Sequence, residues 1–410
     1  MILFGFIVRN WPWILGGFLL TFLSSFGQTF FISLFSGEIR REYELSHGDF
    51  GGLYMAATLM SAATLPFFGR LIDLVSLRAM VITVFLGLAL FCILMASVSS
   101  WFLLFIAIYG LRLFGQGMMT NVALTAIGRW FDANRGKAVA VSSAGHQVSE
   151  AILPISFVAL SAAIGWRGSW IVAALILVTL LPLAAYCMSR PREPESRNKA
   201  LKHQATRDWT RKEALRDTYF WAVLIAVLTP GFIGTTLLFH QVHIIEVKGW
   251  PFEVYAASYA IMSVSTLIFA ILYGGWIDRF GAVRMMPTYL IPLGLACLLI
   301  AFVDEAWVIA VFMAIFGISY GGSIAVLGAL WPEIYGTRHL GAIRSYVIAL
   351  QVFATAAGPG ITGILIDRGV ALTSQFLIMG LYCFAAFVLM LAVSNRLMHR
   401  QKALNAPSHG

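Results

Sequence analysis

Charge is scarce in this chain. It holds 28 Lys and Arg and 19 Asp and Glu in 410 residues, so 11% are charged and 60% are hydrophobic. A water-soluble domain usually carries about 25% charged residues. A chain this apolar cannot cover itself with polar surface, which excludes a soluble globular protein. Cysteine is scarce too: Cys92, Cys187, Cys297 and Cys383 each lie inside an apolar run, and none forms a CxxC pair. They read as small buried hydrophobes, not as a disulfide framework or thiolate metal site. No Asn-x-Ser/Thr sequon occurs, which fits a bacterial inner membrane. A P-loop, a G-x-S-x-G elbow and an acidic cluster for Mg²⁺ are all missing, so nothing supports a membrane-embedded enzyme. No cofactor site is expected.

Long apolar runs are abundant. A helix needs about 20 apolar residues to cross roughly 30 Å of hydrocarbon. Lipid offers no partner to free backbone groups, so spans are helices or closed barrels. The runs here are continuous rather than alternating, which excludes the barrel. Twelve spans are expected, at 12–36, 50–72, 78–98, 101–123, 137–161, 167–188, 219–246, 253–277, 284–303, 306–329, 341–365 and 372–395. The first run, from Trp11 to Phe35, is too long for a signal-peptide core and has no small-residue cleavage site after it. It is expected to remain as a helix. Residues 189–218 are polar and charged, with Pro191 and Pro194 near their start, and read as a linker. The expected organisation is a bundle over 1–188, a cytoplasmic linker over 189–218 with a surface helix near Trp209 to Asp217, and a second bundle over 219–410.

With both termini in the cytoplasm, 22 of the 28 basic residues face inward and five face outward (Arg40, Arg41, Arg167, Lys248, Arg368); Arg112 lies within a span. This asymmetry follows the positive-inside rule. It also accounts for the net charge of +9 without nucleic acid: the basic residues sit on inner loops facing an anionic leaflet. The two halves repeat. Gly69-x-x-x-Asp73 recurs as Gly274-x-x-x-Asp278, and Gly136/Gly341 and Pro154/Pro359 keep the same offset of 205. The fold class expected is all-α, with twelve membrane helices in two pseudo-symmetric six-helix bundles, as in transporters that rock one repeat against the other.

The stretch Gly274-Gly275-Trp276-Ile277-Asp278-Arg279-Phe280-Gly281-Ala282-Val283-Arg284 matches the G-x-x-x-D-R-x-G-x-x-R signature of the major facilitator superfamily, which the whole chain resembles. The copy after the second span keeps Gly69, Asp73 and Arg78, but has Leu74 and Ser76 where Arg and Gly are usual. The resemblance implies an inner gate built from Gly69, Asp73, Arg78, Gly274, Asp278, Arg279, Gly281 and Arg284. There the glycine permits close helix approach and the aspartate pairs with cations or caps a neighbouring helix. Arg129-Trp130-Phe131, Arg135-Gly136-Lys137-Ala138, Gly165-Trp166-Arg167 and Pro332-Glu333-Ile334-Tyr335-Gly336 resemble loops of the monocarboxylate and oxalate/formate-type branch. Oxalate-type members carry a substrate-binding Arg in helix 8 and a Lys in helix 11. This chain has Ser263, Ser265 and Thr266, and Gln351, at those levels, so a dicarboxylate clamp is not expected.

Ionisable residues inside a membrane are costly and usually functional. Arg112 and Gln116 are one turn apart on the fourth span, and a guanidinium fork suits a carboxylate. Arg112 reads either as an anion anchor or as a structural or relay residue. His146 and Glu150 are one turn apart on the fifth span. They read either as a proton-coupling pair or as the counter-charge of Arg112. On the seventh span, His240 reads as a substrate contact or proton relay, with Gln241 beside it; His243 and Glu246 fall in the outer vestibule. A metal at His240-x-x-His243 is not expected, because no acid or thiol completes the set. Gln28, Thr29, Tyr320 and Gln351 complete the candidate cavity lining, with Asn121 a weaker candidate. The expected function is alternating-access movement of a small organic anion, a monocarboxylate, by proton symport or anion exchange. The partners are that anion, protons and the lipid bilayer, with no nucleic acid, and the protein is expected to act as a monomer. The alternative is a proton-driven exporter of drugs or metabolites on the same fold. Against it, only isolated Gly145 and Pro154 stand where such antiporters repeat glycine and proline.

Overall fold

The structure, a computed structural model, describes residues 2–69, 71–131, 135–189, 208–336 and 338–405. The side chains of 2–5, 73, 128–129, 135–137, 341–342 and 401–405 also lie outside the description. Most of the expected linker and the Asp73 carboxylate therefore fall outside it.

Every regular element among the described residues is a helix. Among the described residues ten helices are long and apolar enough to cross a membrane, and a bent pair, Trp11–Gly27 with Thr29–Glu42, adds an eleventh span. The run Ala138–Ser189 is 52 residues long, and a continuous helix of that length measures about 78 Å, more than twice a bilayer core. Gly165 divides it: at φ 75°, ψ 166° its backbone leaves the helical region, in a conformation that L side chains avoid. Twelve membrane segments result. We label them α1 (the bent pair), α2 (His47–Gly69), α3 (Leu77–Ser97), α4 (Trp101–Ile127), α5 and α6 (135–164 and 166–189), α7 (Thr218–Phe239), α8 (Phe252–Phe280), α9 (Ala282–Phe302), α10 (Val308–Tyr335), α11 (Leu340–Asp367) and α12 (Leu372–Asn405).

The chain forms two compact units. Unit 1 comprises Met1–Ala200 with Leu238–Ile245 and Phe252–Ala260; unit 2 comprises Leu201–Leu237, Glu246–Pro251 and Ile261–Gly410. In unit 1, small residues bring α1 and α5 together. The Thr21 hydroxyl donates to the Ser142 carbonyl at 2.5 Å, and the Ser25 and Ser149 hydroxyls meet. A Cβ on Gly145 would stand 2.3 Å from the Phe18 carbonyl oxygen. Apolar surface gives no advantage over lipid tails, so close backbone approach and interhelical hydrogen bonds hold such helices together. One end of unit 1 is tied by the Gly165-Trp166-Arg167 turn. Arg167 donates to Glu42 Oε1 (2.5 Å), to the Tyr43 hydroxyl (2.8 Å) and to the carbonyls of Ala96 and Val98 (2.6 and 2.7 Å). Trp166 Nε1 donates to the other Glu42 oxygen at 3.1 Å.

In unit 2, Phe220, Trp331 and Tyr335 form a buried aromatic cluster. The helix expected at the end of the linker is present as Arg211–Arg216, opened by a reciprocal capping box between Thr210 and Glu213. It is followed by Asp217, whose Oδ2 accepts from Arg400 (2.6 Å) and from the Tyr335 hydroxyl (3.1 Å). Arg400 also lies over the rings of Trp209 and Tyr219.

Candidate functional site

The site begins with a break in α1. At Gln28 the backbone turns extended (φ −87°, ψ 156°), so the helix stops at Gly27 and restarts at Thr29. The two parts are bent by 44°. A break inside a membrane exposes carbonyls that need donors. Arg112 supplies one: its Nη1 donates to the Gly27 carbonyl at 3.1 Å and lies 3.4 Å from Thr29 Oγ1. Thr29 Oγ1 is also 2.7 Å from the Tyr54 hydroxyl, and the guanidinium sits over the Tyr54 ring, 5.3 Å from its centroid.

The α4 side is irregular as well. Arg112–Met119 winds as a π-helix, the wider form that marks functional sites in many helices. It carries Gly115 and Gly117, and Gly115 meets Gly27 backbone to backbone. A Cβ on Gly27 would stand 2.0 Å from the Leu111 carbonyl oxygen and 2.7 Å from the Gly115 Cα. The two glycines let α4 come close enough for Arg112 to reach the broken turn.

Arg112 is 1% exposed, and among the described residues its Nε has no hydrogen-bond partner. Among the described residues no carboxylate pairs with it. Glu150 pairs with His146 instead, Oε1 to Nε2 at 3.5 Å. That separates the two readings of Glu150: in this structure it is not the counter-charge of Arg112. Glu150 is 1% exposed, and its Oε2 and the His146 Nδ1 are unpartnered. Both centres touch the same turn. Arg112 holds Gly27 and Thr29, while Ser149, next to Glu150, holds Ser25.

The other candidates divide. Gln28 and Gln116 are half-buried, and neither makes a side-chain hydrogen bond among the described residues. Gln241 spends both amide N–H groups, on the Phe30 carbonyl (2.9 Å) and Ser33 Oγ (2.8 Å), and its Oε1 accepts from the Tyr259 hydroxyl (2.8 Å). In this state it braces unit 1. His240 is buried beside Phe239 and faces His47, which lies 3.0 Å from Arg40 and against His243. It belongs to that end cluster and is not among the partners of Arg112. Among the described residues no group of three or more His, Cys, Asp or Glu is arranged to hold a metal. In unit 2, Tyr320 is half-buried and stacks on Phe316, and Gln351 is half-buried on α11.

The signature loops take a different form from the one expected. Asp278 is exposed, and the carboxylate at the start of α9 is that of Glu333, which accepts from the Ala282 and Val283 amides at 2.6 and 3.3 Å. Gly281 is required twice over. Its φ is +85°, and a Cβ there would stand 2.9 Å from Glu333 Oε1. At the corresponding place in the first half, Ser76 caps α3 with its own hydroxyl, accepting from Ala79 N at 3.2 Å. A local serine cap needs no distant carboxylate and no glycine, which is the physical sense of the altered copy. Gly274 has nothing within 4 Å of an added Cβ, and Gly69 only Asn121 at 3.4 Å, so the close approach expected at both is absent. It occurs instead on α10, where a Cβ on Gly317 would stand 2.5 Å from the Met262 carbonyl oxygen. Arg279 and Arg284 both lie over Phe280, and Arg78 is exposed.

Sequence reasoning did not find Tyr54, Ser25 or Ser149. A tyrosine and serines within apolar spans were the available signal, and only the packing shows which of them turn inward.

Two helical units with a broken first helix and a buried arginine at the break define a polytopic membrane transporter. The chain belongs to the Major Facilitator Superfamily, whose family model matches residues 17–272 and 255–408. It is 24% identical to the oxalate:formate antiporter of Oxalobacter formigenes over 69% of this chain and 68% of that protein. It is 24% identical to monocarboxylate transporter 4 of Gallus gallus over 94% of this chain and 83% of that one. A solved bacterial homologue of the human lysosomal transporter Spinster shares the fold, at TM-score 0.69 and 14% identity, over 96% of this chain and 97% of that one.

Proposed function

We propose that this transporter moves a small organic anion, a monocarboxylate, by alternating access with proton symport or anion exchange. One observation carries the reading. Arg112 is buried, stays charged in any protein, and has neither a carboxylate partner nor a bond to its Nε among the described residues. A buried charge is stable only when paired, and a carboxylate across the Nε edge supplies the pair. The names of the two relatives, an oxalate:formate antiporter and a monocarboxylate transporter, support an anionic cargo. Ser263, Ser265, Thr266 and Gln351 provide no second cation, which favours one carboxylate over two. Within unit 1, Gln28, Thr29 and Gln116 complete the recognition of cargo.

Glu150 and His146 carry the coupling proton. The Ser24–Gly27 turn transmits between the two centres, because Arg112 and Ser149 grip it from either side. Asp73, Arg78, Asp278, Arg279, Gly281 and Arg284 are the residues of the gate on the cytoplasmic side, with both termini on that side of a bacterial inner membrane and a single chain as the working unit. The test is uptake of labelled formate, acetate, lactate and oxalate into proteoliposomes with and without an imposed pH gradient. Accumulation of a monocarboxylate is expected from the wild type, and its loss from Arg112→Lys and Arg112→Gln. Wild-type rates in either variant would remove Arg112 as the anchor.

A further inference from the structure

A cavity in unit 2 shares no lining residue with the Arg112 centre. It has a volume of about 620 Å³ and runs between α7, α11 and α12. Its walls are apolar: Leu228 and Phe232 on α7, Phe353 and Leu365 on α11, Ile378 and Tyr382 on α12. Its mouth opens sideways, because Phe353, Ile378 and Tyr382 are 56%, 64% and 45% exposed. In a membrane-spanning bundle, large apolar side chains exposed at mid-span face lipid. The cavity is therefore open to the bilayer.

Two polar atoms break the apolar wall. Thr362 Oγ1 and Gln375 Oε1 both line the cavity, are buried, and have no hydrogen-bond partner. Thr362 is 0% exposed and Gln375 3%. The Gln375 amide nitrogen donates to the Val370 carbonyl at 3.1 Å, while its oxygen stays unpartnered in the cavity wall. The other polar lining residue, Thr229, is satisfied within its own helix through the Ile225 carbonyl at 2.6 Å. Two orphan groups in an apolar wall each carry a desolvation penalty that a ligand with a hydroxyl would remove.

Their position matters as much as their chemistry. Thr362 and Gln375 flank the α11–α12 turn, where the chain leaves the membrane after Asp367 and re-enters at Leu372. Phe353 lies twelve residues before Leu365 on α11, which places it about 18 Å deeper along a helix rising 1.5 Å per residue. The cavity is thus a slot about 18 Å long, polar at the membrane edge and apolar toward the middle. Those are the proportions of one acyl chain with hydroxyls at its head. No cationic side chain lines the slot, so it does not suit the anionic cargo.

We infer that the α7–α11–α12 slot is a specific site for a membrane glycerolipid. One acyl chain lies along Phe353, Leu365 and Ile378, and a glycerol hydroxyl donates to Gln375 Oε1 and bonds Thr362. The site stands independently of the cargo reading. The probe is monooleoylglycerol, which has one oleoyl chain and two free hydroxyls, added to delipidated protein and counted by native mass spectrometry. Dioleoylphosphatidylglycerol in a parallel arm separates a monoacyl from a bilayer source.

One lipid is expected to stay on the wild type at collision energies that strip all others. Ala357→Trp, which fills the slot, is expected to lose it, and Gln375→Leu to lower its occupancy about tenfold, the 1.4 kcal/mol of one modest hydrogen bond. The lipid-free unfolding midpoint of each variant checks that it is folded. If Ala357→Trp does not fold, Gln375→Leu alone decides. Equal retention by the wild type and a folded variant, or no retained lipid in either arm, overturns the inference.

Discussion

Gly27→Ala tests whether the α1–α4 crossing builds the site. Gly27 has no left-handed backbone, so the alanine is not strained at its own φ and ψ. The obstacle is space. The new Cβ would lie 2.0 Å from the Leu111 carbonyl oxygen, where ordinary contact begins at 3.4 Å, so α1 and α4 must separate by about 1.4 Å. Neither neighbour is a flexible side chain; both are backbone, and Gly115 Cα is only 2.7 Å away. Overpacking of this kind costs about 1–3 kcal/mol. The same shift lengthens the Arg112–Gly27 hydrogen bond from 3.1 Å to about 4.5 Å, beyond hydrogen-bond range. That bond has a charged donor and contributes about 1.5–3 kcal/mol. Gly274→Ala is the comparison, a helical glycine with nothing within 4 Å of the added methyl. It is expected to stabilise by about 0.5–1 kcal/mol. Unfolding in mixed micelles gives the stabilities, and uptake into proteoliposomes gives the activity. Gly27→Ala should be the less stable of the two by about 3–7 kcal/mol and should lose most of its transport. If it matches Gly274→Ala in stability and keeps wild-type uptake, the crossing is not what positions Arg112.

Three further outcomes are expected. Glu333→Ala removes the acceptor of two α9 amides and should cost about 0.5–2 kcal/mol of unfolding free energy, with Glu333→Gln in between. A double-mutant cycle of Arg167→Ala and Glu42→Gln should give a coupling of only about 0.2–1 kcal/mol, because the two side chains are 33% and 40% exposed. Arg167→Ala alone should cost more than that coupling, since it also removes the donor to the Ala96 carbonyl, while the Val98 carbonyl keeps the Tyr43 hydroxyl. Glu150→Gln should abolish accumulation driven by a pH gradient while leaving counterflow exchange; wild-type accumulation in that variant would take the proton role away from Glu150 and His146.

The architecture was legible because lipid permits few solutions. Apolar length alone predicts the spans, and Gly165 in its Gly-Trp-Arg turn predicts the division of α5 from α6. Side-chain roles were less legible, because they depend on which helix crosses which. The one-turn spacing of His146 and Glu150 is a local fact, and the structure pairs them. A pairing of Glu150 with Arg112 depends on how two helices cross, and the structure pairs Glu150 with His146 while Arg112 holds Gly27. Gln241 looked like a cavity residue because it is polar inside a span; three hydrogen bonds make it a brace. The signature aspartate was expected to pair with cations or cap a neighbouring helix, but the acid that caps α9 is Glu333, which α10 brings from some fifty residues away.

The repeat shows why the polar machinery sits in one half. Advancing each key residue by the offset of 205 gives its counterpart: Gln28 becomes Ile233, Arg112 becomes Gly317, Glu150 becomes Thr355. Ile233 lies within the unbroken helix α7, and the π-helical stretch of 112–119 maps onto 317–324 within regular α10. Thr355 spends its hydroxyl on the Val352 carbonyl at 2.8 Å. At Gly317 there is no room for any side chain, because the Met262 carbonyl would lie 2.5 Å from its Cβ. The second repeat therefore keeps its helices regular where the first breaks them, and closes with backbone the place where the first holds a guanidinium. Irregular backbone survives at membrane depth only where protein or a polar cavity satisfies it. Both irregularities of unit 1 meet at Arg112, so the break in α1 and the π-turn in α4 make the site together with the arginine, and a charge placed on a regular scaffold would not reproduce it.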